Sequence, residues 1–248
     1  MHNILKQAVN TTQRAQRNYD LSKSIPQADL DTLIYAATKS PSKQNETHYS
    51  LYVFTDKNHI ANIYKNTKHH AVFRQQDVKA VFKEEHGKFW QDEKYCVTNS
   101  QILANAVFVF VDDDGPAYGG THMLAQQNLK NKDSESRELY VEQKNYSIGI
   151  AVGELLLTAG ILGYKTGCCS AFSKQEMQNV LGLPKLPKLI VGVGFPNQHM
   201  DRRDHPEVLN RDLPEEYRNG DPNAHWKFVT HEKNIKTFVN YNVYGNKE

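Results

Sequence analysis

Cysteine is scarce: the 248 residues hold three, Cys96, Cys168 and Cys169. They form neither an even disulfide framework nor a CxxC metal pattern, which fits thiols kept reduced in a cytosol. Excess charge is missing as well. The count of 30 basic against 28 acidic side chains nets +2, too near balance for a dedicated nucleic-acid binder. No apolar run reaches the roughly 20 residues of a membrane span. Met1-His2-Asn3-Ile4-Leu5-Lys6 has neither the apolar run nor the small-residue site of an export signal. The expectation is a cytoplasmic protein that works apart from membranes and nucleic acids. Repeats and low-complexity tracts are also lacking. Mean hydropathy is low, −0.68, although 39% of residues are hydrophobic, so the apolar residues must be concentrated in a few elements.

Those elements are legible from spacing. Leu30, Leu33, Ile34 and Ala37 recur at helical intervals behind Pro26 and Asp29 and predict an amphipathic helix over 24–37, stopped at Ser40-Pro41-Ser42. Tyr49 to Thr55 reads as a strand and Asp56-Lys57-Asn58 as a turn. Ala106 to Val111 is apolar at every position, as a central strand buried on both faces would be. Residues 147–162 carry a single charge, Glu154, and predict a helix buried all round, in the core or at a subunit interface. Ser173-Lys174-Gln175-Glu176 is a capping box opening a short helix that ends at Gly182. Leu189 to Phe195 reads as a second buried strand. The polar stretches 112–145 and 197–248 suit lids, binding loops or arms. The order of elements fits an α+β fold rather than a doubly wound sheet.

Several constellations could carry chemistry. Gln13-Arg14-Ala15-Gln16-Arg17 places two planar, forked guanidinium groups close together, suited to a phosphate or the edge of a heterocycle. A solvated helix end would read the same way. Ser40-Pro41-Ser42-Lys43-Gln44-Asn45 offers hydroxyl and backbone donors on a turn, as many turns do. Lys165 to Phe172, read as a loop joining two helices, has small residues that let backbone amides approach a planar ligand. Its vicinal pair Cys168-Cys169 reads more simply as small buried thiols than as a redox or metal centre. Met200-Asp201-Arg202-Arg203-Asp204 holds a basic pair that could equally be a solvated turn. Asp112-Asp113-Asp114 and His69-His70 read as a solvated strand end and a surface helix rather than metal ligands. Gly192-Val193-Gly194 mimics the start of a dinucleotide fingerprint, but a third glycine and a following helix are missing, so a Rossmann site is rejected.

The order of these motifs resembles the nitroreductase family of FMN enzymes. Arg14-x-x-Arg17-x-Tyr19-Asp20, Ser24-Ile25-Pro26 and Ser40-Pro41-Ser42-Lys43-Gln44-Asn45 resemble its N-terminal half. Ile148-Gly149-Ile150-Ala151 with Leu155 to Tyr164 is similar to its central helix, and Gly194-Phe195-Pro196 with Arg202-Arg203 to its closing strand and phosphate-binding arginine. The likeness spans about residues 13–213.

The resemblance implies an α+β fold with a central, mostly antiparallel sheet flanked by helices, in an intertwined homodimer. It implies one domain over 1–248, with polar insertions at about 64–99 and 112–145 and a C-terminal arm from about 205. FMN would lie at the subunit interface and pass hydride from NADH or NADPH to a nitroaromatic, quinone or similar small-molecule acceptor, in ping-pong fashion. Gln13, Arg14 and Ala15 occupy the family's basic, variable and serine positions. Arg17 would face the N1/O2 edge of the flavin, and Arg14, Arg202 and Arg203 would hold the phosphate and ribityl chain. Pro41, Ser42, Lys43 and Asn45 would reach the cofactor of the partner subunit. Ser170 and Ala171, with Cys168 and Cys169 beside them, would bring backbone amides to N5 and O4. The flavin carries the chemistry, so no catalytic acid, base or nucleophile is expected, nor any metal. Gln13, Ala15 and Glu46-Thr47-His48-Tyr49 depart from the family pattern. They leave open a specialised flavin-fragmenting, dehalogenating or dehydrogenating enzyme, and a non-catalytic FMN-binding protein.

Overall fold

The structure is a computed structural model and describes residues 2–42, 48–67, 69–70, 96–97, 99–113 and 134–200. Residues 1–213 form one unit and 214–248 a second, the latter wholly outside the described residues. The first unit runs α1 (His2–Thr12), α2 (Gln27–Lys39), β1 (Tyr49–Phe54), α3 (Lys57–Lys65), β2 (His69–His70), β3 (Cys96–Val97), a 3-10 turn (Ser100–Ile102), β4 (Ala106–Asp112), α4 (Ser134–Ile161), β5 (Lys165–Cys169), α5 (Lys174–Leu181) and β6 (Pro187–Gly194). Four strands make an antiparallel sheet in the order β1-β4-β6-β5.

The continuous apolar run of β4 has its reason in this arrangement. Alternate residues of a strand face opposite sides. Phe108 and Phe110 pack with Leu33 of α2 and Leu155 of α4, while Val107, Val109 and Val111 pack with Ile60 and Ile63 of α3 and Met177 of α5. Helices thus cover both faces of a central strand. Removing side chains of this size from water contributes about 1.5–3 kcal/mol each.

Local signals set the element ends. Pro26 occupies the N-cap position of α2 with φ −58°, and Ser40, held extended by the following Pro41, closes that helix. The Ser173 hydroxyl accepts from the Glu176 amide at the start of α5, and Gly182 ends it at φ +60°, where a side chain would be strained.

Four expectations are corrected. Asp56-Lys57-Asn58 is the start of α3: the Asp56 carboxylate accepts from the Asn58 and His59 amides at 3.0 and 2.9 Å. Those charge-assisted bonds also lower its pKa. The 112–145 stretch is helical from Ser134 onward, so the central helix is 28 residues long. Its length and the packing of its second half against the sheet carry the polar first half into helix. His69-His70 lies in a short strand paired with Cys96-Val97 rather than on a helix. Residues 165–169 form an edge strand instead of a loop, because pairing with β6 from Lys165↔Gly194 to Cys169↔Ile190 satisfies the backbone groups on that side. The α4 helix also keeps one face open: Leu139, Tyr146, Ile150 and Ile161 are exposed. Gly149 and Gly153 lie on the same helix, with open space where a Cβ would point.

His48 and Tyr49, two of the departures noted above, belong to the core. The fully buried His48 ring meets the Ser147 hydroxyl at 3.1 Å. That hydroxyl donates to the Gln143 carbonyl, so the imidazole Nδ1 is the donor to Ser147. The Tyr49 hydroxyl bonds the Ala37 carbonyl and Ser40.

Candidate functional site

The segment 13–20 is the tail of α1 laid over the sheet edge. The Gln13 amide still bonds the Val9 carbonyl at 2.9 Å, and the chain then straightens. The Gln16 amide donates to Thr166 of β5 at 2.8 Å, and Asp20 to Phe195 just beyond β6 at 2.9 Å. Tyr19 forms a bridge with Pro196. The strap therefore extends the hydrogen-bonding of the outermost strand. Its side chains divide sharply: Gln13 and Arg14 are exposed, whereas Gln16, Arg17, Asn18 and Tyr19 are buried, with Arg17 only 7% exposed. The Gln16 amide folds back onto Asn18, reaching its carbonyl at 2.6 Å. Tyr19 points under the sheet toward the Gln101 and Gly192 carbonyls at 3.4 Å each. Burial, and then Cys168, hold its phenol protonated, well above its usual range.

Next to the strap, β5 ends at Cys169. Ser170 is exposed there and Ala171 half-buried. Cys168 and Cys169 lie on opposite faces of β5, as neighbours in a strand must. Cys169 packs with the α3 and α5 side and Cys168 with the α2 and α4 side. Burial raises the Cys168 thiol to about 11, so it is a neutral packing group at pH 7.

Three side-chain amides that the sequence reading passed over tie this region together. Gln101 donates to the Cys168 carbonyl at 2.7 Å. Asn99 donates to the Ala171 carbonyl at 2.8 Å and to Thr67 at 3.0 Å. Asn105 donates to the Asp20 and Lys23 carbonyls and accepts from the Phe195 amide at 3.0 Å. The only signal in the sequence was their density just before a buried strand. Their approach also explains Gly192-Val193-Gly194. A Cβ at Gly192 would lie 2.2 Å from the Gln101 carbonyl oxygen, and one at Gly194 would lie 2.0 Å from the Asn105 side-chain oxygen. These glycines admit the 99–105 segment, and the fingerprint they mimic is a packing feature.

The predicted site residues separate into two places. Gln13, Arg14, Ala15 and Arg17 lie on the strap that bonds β5 at Thr166, the strand that carries Cys168 and Cys169 and leads to Ser170 and Ala171. Pro41 and Ser42 lead toward β1, the opposite edge of the sheet. Three inter-strand steps of about 4.8 Å separate those edges by about 14 Å. Lys43, Asn45, Arg202 and Arg203 lie outside the described residues.

At the β5 edge the polar groups are predominantly donors. Arg14 and Arg17 are permanent cations, and the Ser170 hydroxyl is at the surface. The strap's carboxylate, Asp20, is engaged by the Ser22 hydroxyl at 2.5 Å and by Lys23 at 3.1 Å, and these bonds lower its pKa. A donor-rich edge of this kind suits a ligand that presents phosphate oxygens and ring carbonyls. Among the described residues no cluster of three His, Cys, Asp or Glu side chains could hold a metal, and no helix is long and apolar enough to cross a membrane.

The sequence profile of the nitroreductase family matches residues 11–195. No curated protein matches the chain. Solved structures share the fold. One is a provisionally assigned nitroreductase from Exiguobacterium sibiricum, determined in complex with FMN. It has 17% identity and a TM-score of 0.55 and covers 86% of this chain and 94% of its own. Nitroreductase A from Vibrio parahaemolyticus gives 16% and 0.53, covering 96% and 79%. A BluB-like flavoprotein from Clostridium difficile gives 15% and 0.54, covering 86% and 95%.

Proposed function

The chain belongs to the nitroreductase family, and from that premise we propose that it is an FMN-dependent oxidoreductase. It carries hydride from NADH or NADPH to a nitroaromatic, quinone or similar acceptor. The observation that supports this most directly is the strap 13–20, hydrogen-bonded at Thr166 to the strand that leads to Ser170, with one arginine exposed and the other buried. Bound FMN supplies the two-electron hydride chemistry, and the protein's part is to bind, orient and tune it.

Arg14, with Arg202 and Arg203, would hold the phosphate and ribityl chain, assisted by Gln13 and Ala15. Arg17 places a fixed cation in a site shielded from water, where it stabilises negative charge more than it could in bulk solvent. Ser170 and Ala171, with Cys168 and Cys169 beside them, would contribute backbone amides. Pro41, Ser42, Lys43 and Asn45 would serve a second copy, since Pro41 and Ser42 lead to the far edge of their own sheet. The active form is therefore a homodimer, and the open face of α4 is where the second copy packs. Nucleotide and acceptor use the same opening in turn, which gives ping-pong kinetics.

Purified protein is expected to be yellow and to release FMN on denaturation. It is expected to oxidise NADH or NADPH with menadione or nitrofurazone, giving parallel double-reciprocal plots. Colourless protein that takes up no added FMN would refute the cofactor assignment. Bound FMN with no oxidation of either nucleotide would make the chain a binding protein.

A further inference from the structure

We propose that Asn99 is a positioning residue for the cofactor-facing loop 170–171, an inference that rests on the FMN reading above. Asn99 stands at the N-cap position of the Ser100–Ile102 turn, where asparagine ordinarily accepts a hydrogen bond from the turn's own amides. Here it makes no such cap bond. Its side chain, 3% exposed, turns away and spends both amide protons on carbonyls, Thr67 at 3.0 Å and Ala171 at 2.8 Å. Two carbonyl partners fix the orientation, because only the NH₂ end can face both. The Asn99 backbone amide adds a bond to the Thr67 hydroxyl at 2.9 Å. Among the described residues the buried Ser100 hydroxyl of the same turn has no hydrogen-bond partner. A residue that gives up its local role for a distant carbonyl marks a place where the fold serves something other than itself.

Two residues further on, Gln101 pins the Cys168 carbonyl at 2.7 Å. The two amides therefore clasp the loop from both ends, with Cys169 and Ser170 between the pinned positions. In a trans peptide the carbonyl and the following N–H point opposite ways. Holding the Cys168 and Ala171 carbonyls against the turn thus orients the Cys169 and Phe172 amides away from it and confines the Ser170 and Ala171 amides between two fixed peptide planes. Asn99 touches no cofactor atom and acts through Ala171.

The test uses FMN with the wild-type protein, Asn99→Ala, Asn99→Asp and Thr67→Val. Thr67→Val removes a buried hydrogen-bonding partner of Asn99 but leaves the Ala171 link. In wild type, adding FMN is expected to slow hydrogen exchange at the Ser170 and Ala171 amides. Asn99→Ala is expected to weaken FMN binding roughly fivefold to tenfold, the worth of one hydrogen bond, and to shift the flavin absorption bands. Asn99→Asp, which turns an acceptor toward two carbonyls, should weaken it more. Thr67→Val should lose thermal stability while keeping the wild-type spectrum and affinity. Asn99→Ala with wild-type spectrum and affinity, or with losses no larger than those of Thr67→Val, overturns the proposal. If the Asn99 variants do not fold, the wild-type exchange measurement decides, and unprotected 170–171 amides in the FMN complex overturn it. A wild type that takes up no FMN overturns the functional reading and this proposal with it. A wild type that binds FMN beside indifferent variants overturns this proposal alone.

Discussion

Replacing Gly167 by alanine tests whether the strap and the 3-10 turn close on β5 as described. The new methyl would meet the Gln101 Cβ at 2.5 Å, the Gln16 carbonyl oxygen at 3.0 Å and the Gln101 carbonyl oxygen at 3.2 Å. Carbon atoms rest about 3.5–4.0 Å apart, so the first contact overlaps by about 1 Å. None of these atoms lies at the end of a flexible side chain. Relief requires the strap, the turn or the strand itself to move. Overpacking of this kind costs about 1–3 kcal/mol. At about 2–4 °C per kcal/mol for a chain of this size, the melting temperature falls by about 2–12 °C. The same movement strains the Gln16–Thr166 and Gln101–Cys168 bonds, now at 2.8 and 2.7 Å. FMN affinity should therefore fall along with stability. Thermal unfolding by circular dichroism and FMN titration of the flavin-free protein measure the two effects. A Gly167→Ala protein that melts and binds FMN like wild type would refute the close approach.

Other substitutions probe the remaining parts. Arg17→Ala should keep some flavin but lower its reduction potential, whereas Arg14→Ala should weaken binding in a way that excess FMN repairs. A hydrogen bond to a charged group, about 1.5–3 kcal/mol, sets the size of each loss, and redox and binding titrations of the two variants read it. Ile150→Lys, in the exposed apolar stripe of α4, should give monomers by light scattering, and an undiminished dimer would place the second copy elsewhere. Cys168 should react slowly with a thiol reagent at pH 8 and faster as pH nears about 11. An unfolded thiol ionises near 8.5 while the folded one stays protonated, so the unfolded state loses its proton first. Stability should accordingly fall as pH rises between those values. Urea midpoints at pH 8 and pH 10, compared with those of Cys168→Ser, check that sign.

What could be read from the sequence was whatever has a period or a local partner. The run 106–111 announced a strand covered on both faces, Leu30, Leu33 and Ala37 announced α2, and Ser173 with Gly182 bracketed α5. Two local signals were present and misjudged. Asp56 before Lys57-Asn58 serves a turn or a helix start equally well, and Ile60, Ile63 and Tyr64 at helical spacing decide for the helix. Small residues at 165–169 resemble a loop until β6 pairs with them. Of the clasp, the sequence shows no more than a density of side-chain amides before β4. Asn99, Gln101 and Asn105 act on carbonyls at the strap, β5 and the 170–171 loop, and a side-chain amide reaching across such sequence distances leaves no periodic trace. Gly192 and Gly194 misled in the other direction: glycine admits any close backbone approach, whether the visitor is a phosphate or the chain itself.

β5 is the outer strand of the sheet, and an outer strand presents unpaired carbonyls that invite another chain to pair with it. Here Gln16 covers the Thr166 carbonyl and Gln101 covers that of Cys168. The strap that carries the two arginines therefore also closes the sheet. On the proposed reading, flavin binding and fold integrity are coupled through the same backbone bonds. A change that loosens the strap uncovers an edge strand as well as displacing Arg17, so loss of flavin and a tendency to associate should appear together. Side-chain substitutions such as Arg17→Ala, which leave the Gln16 backbone bond intact, can separate the two.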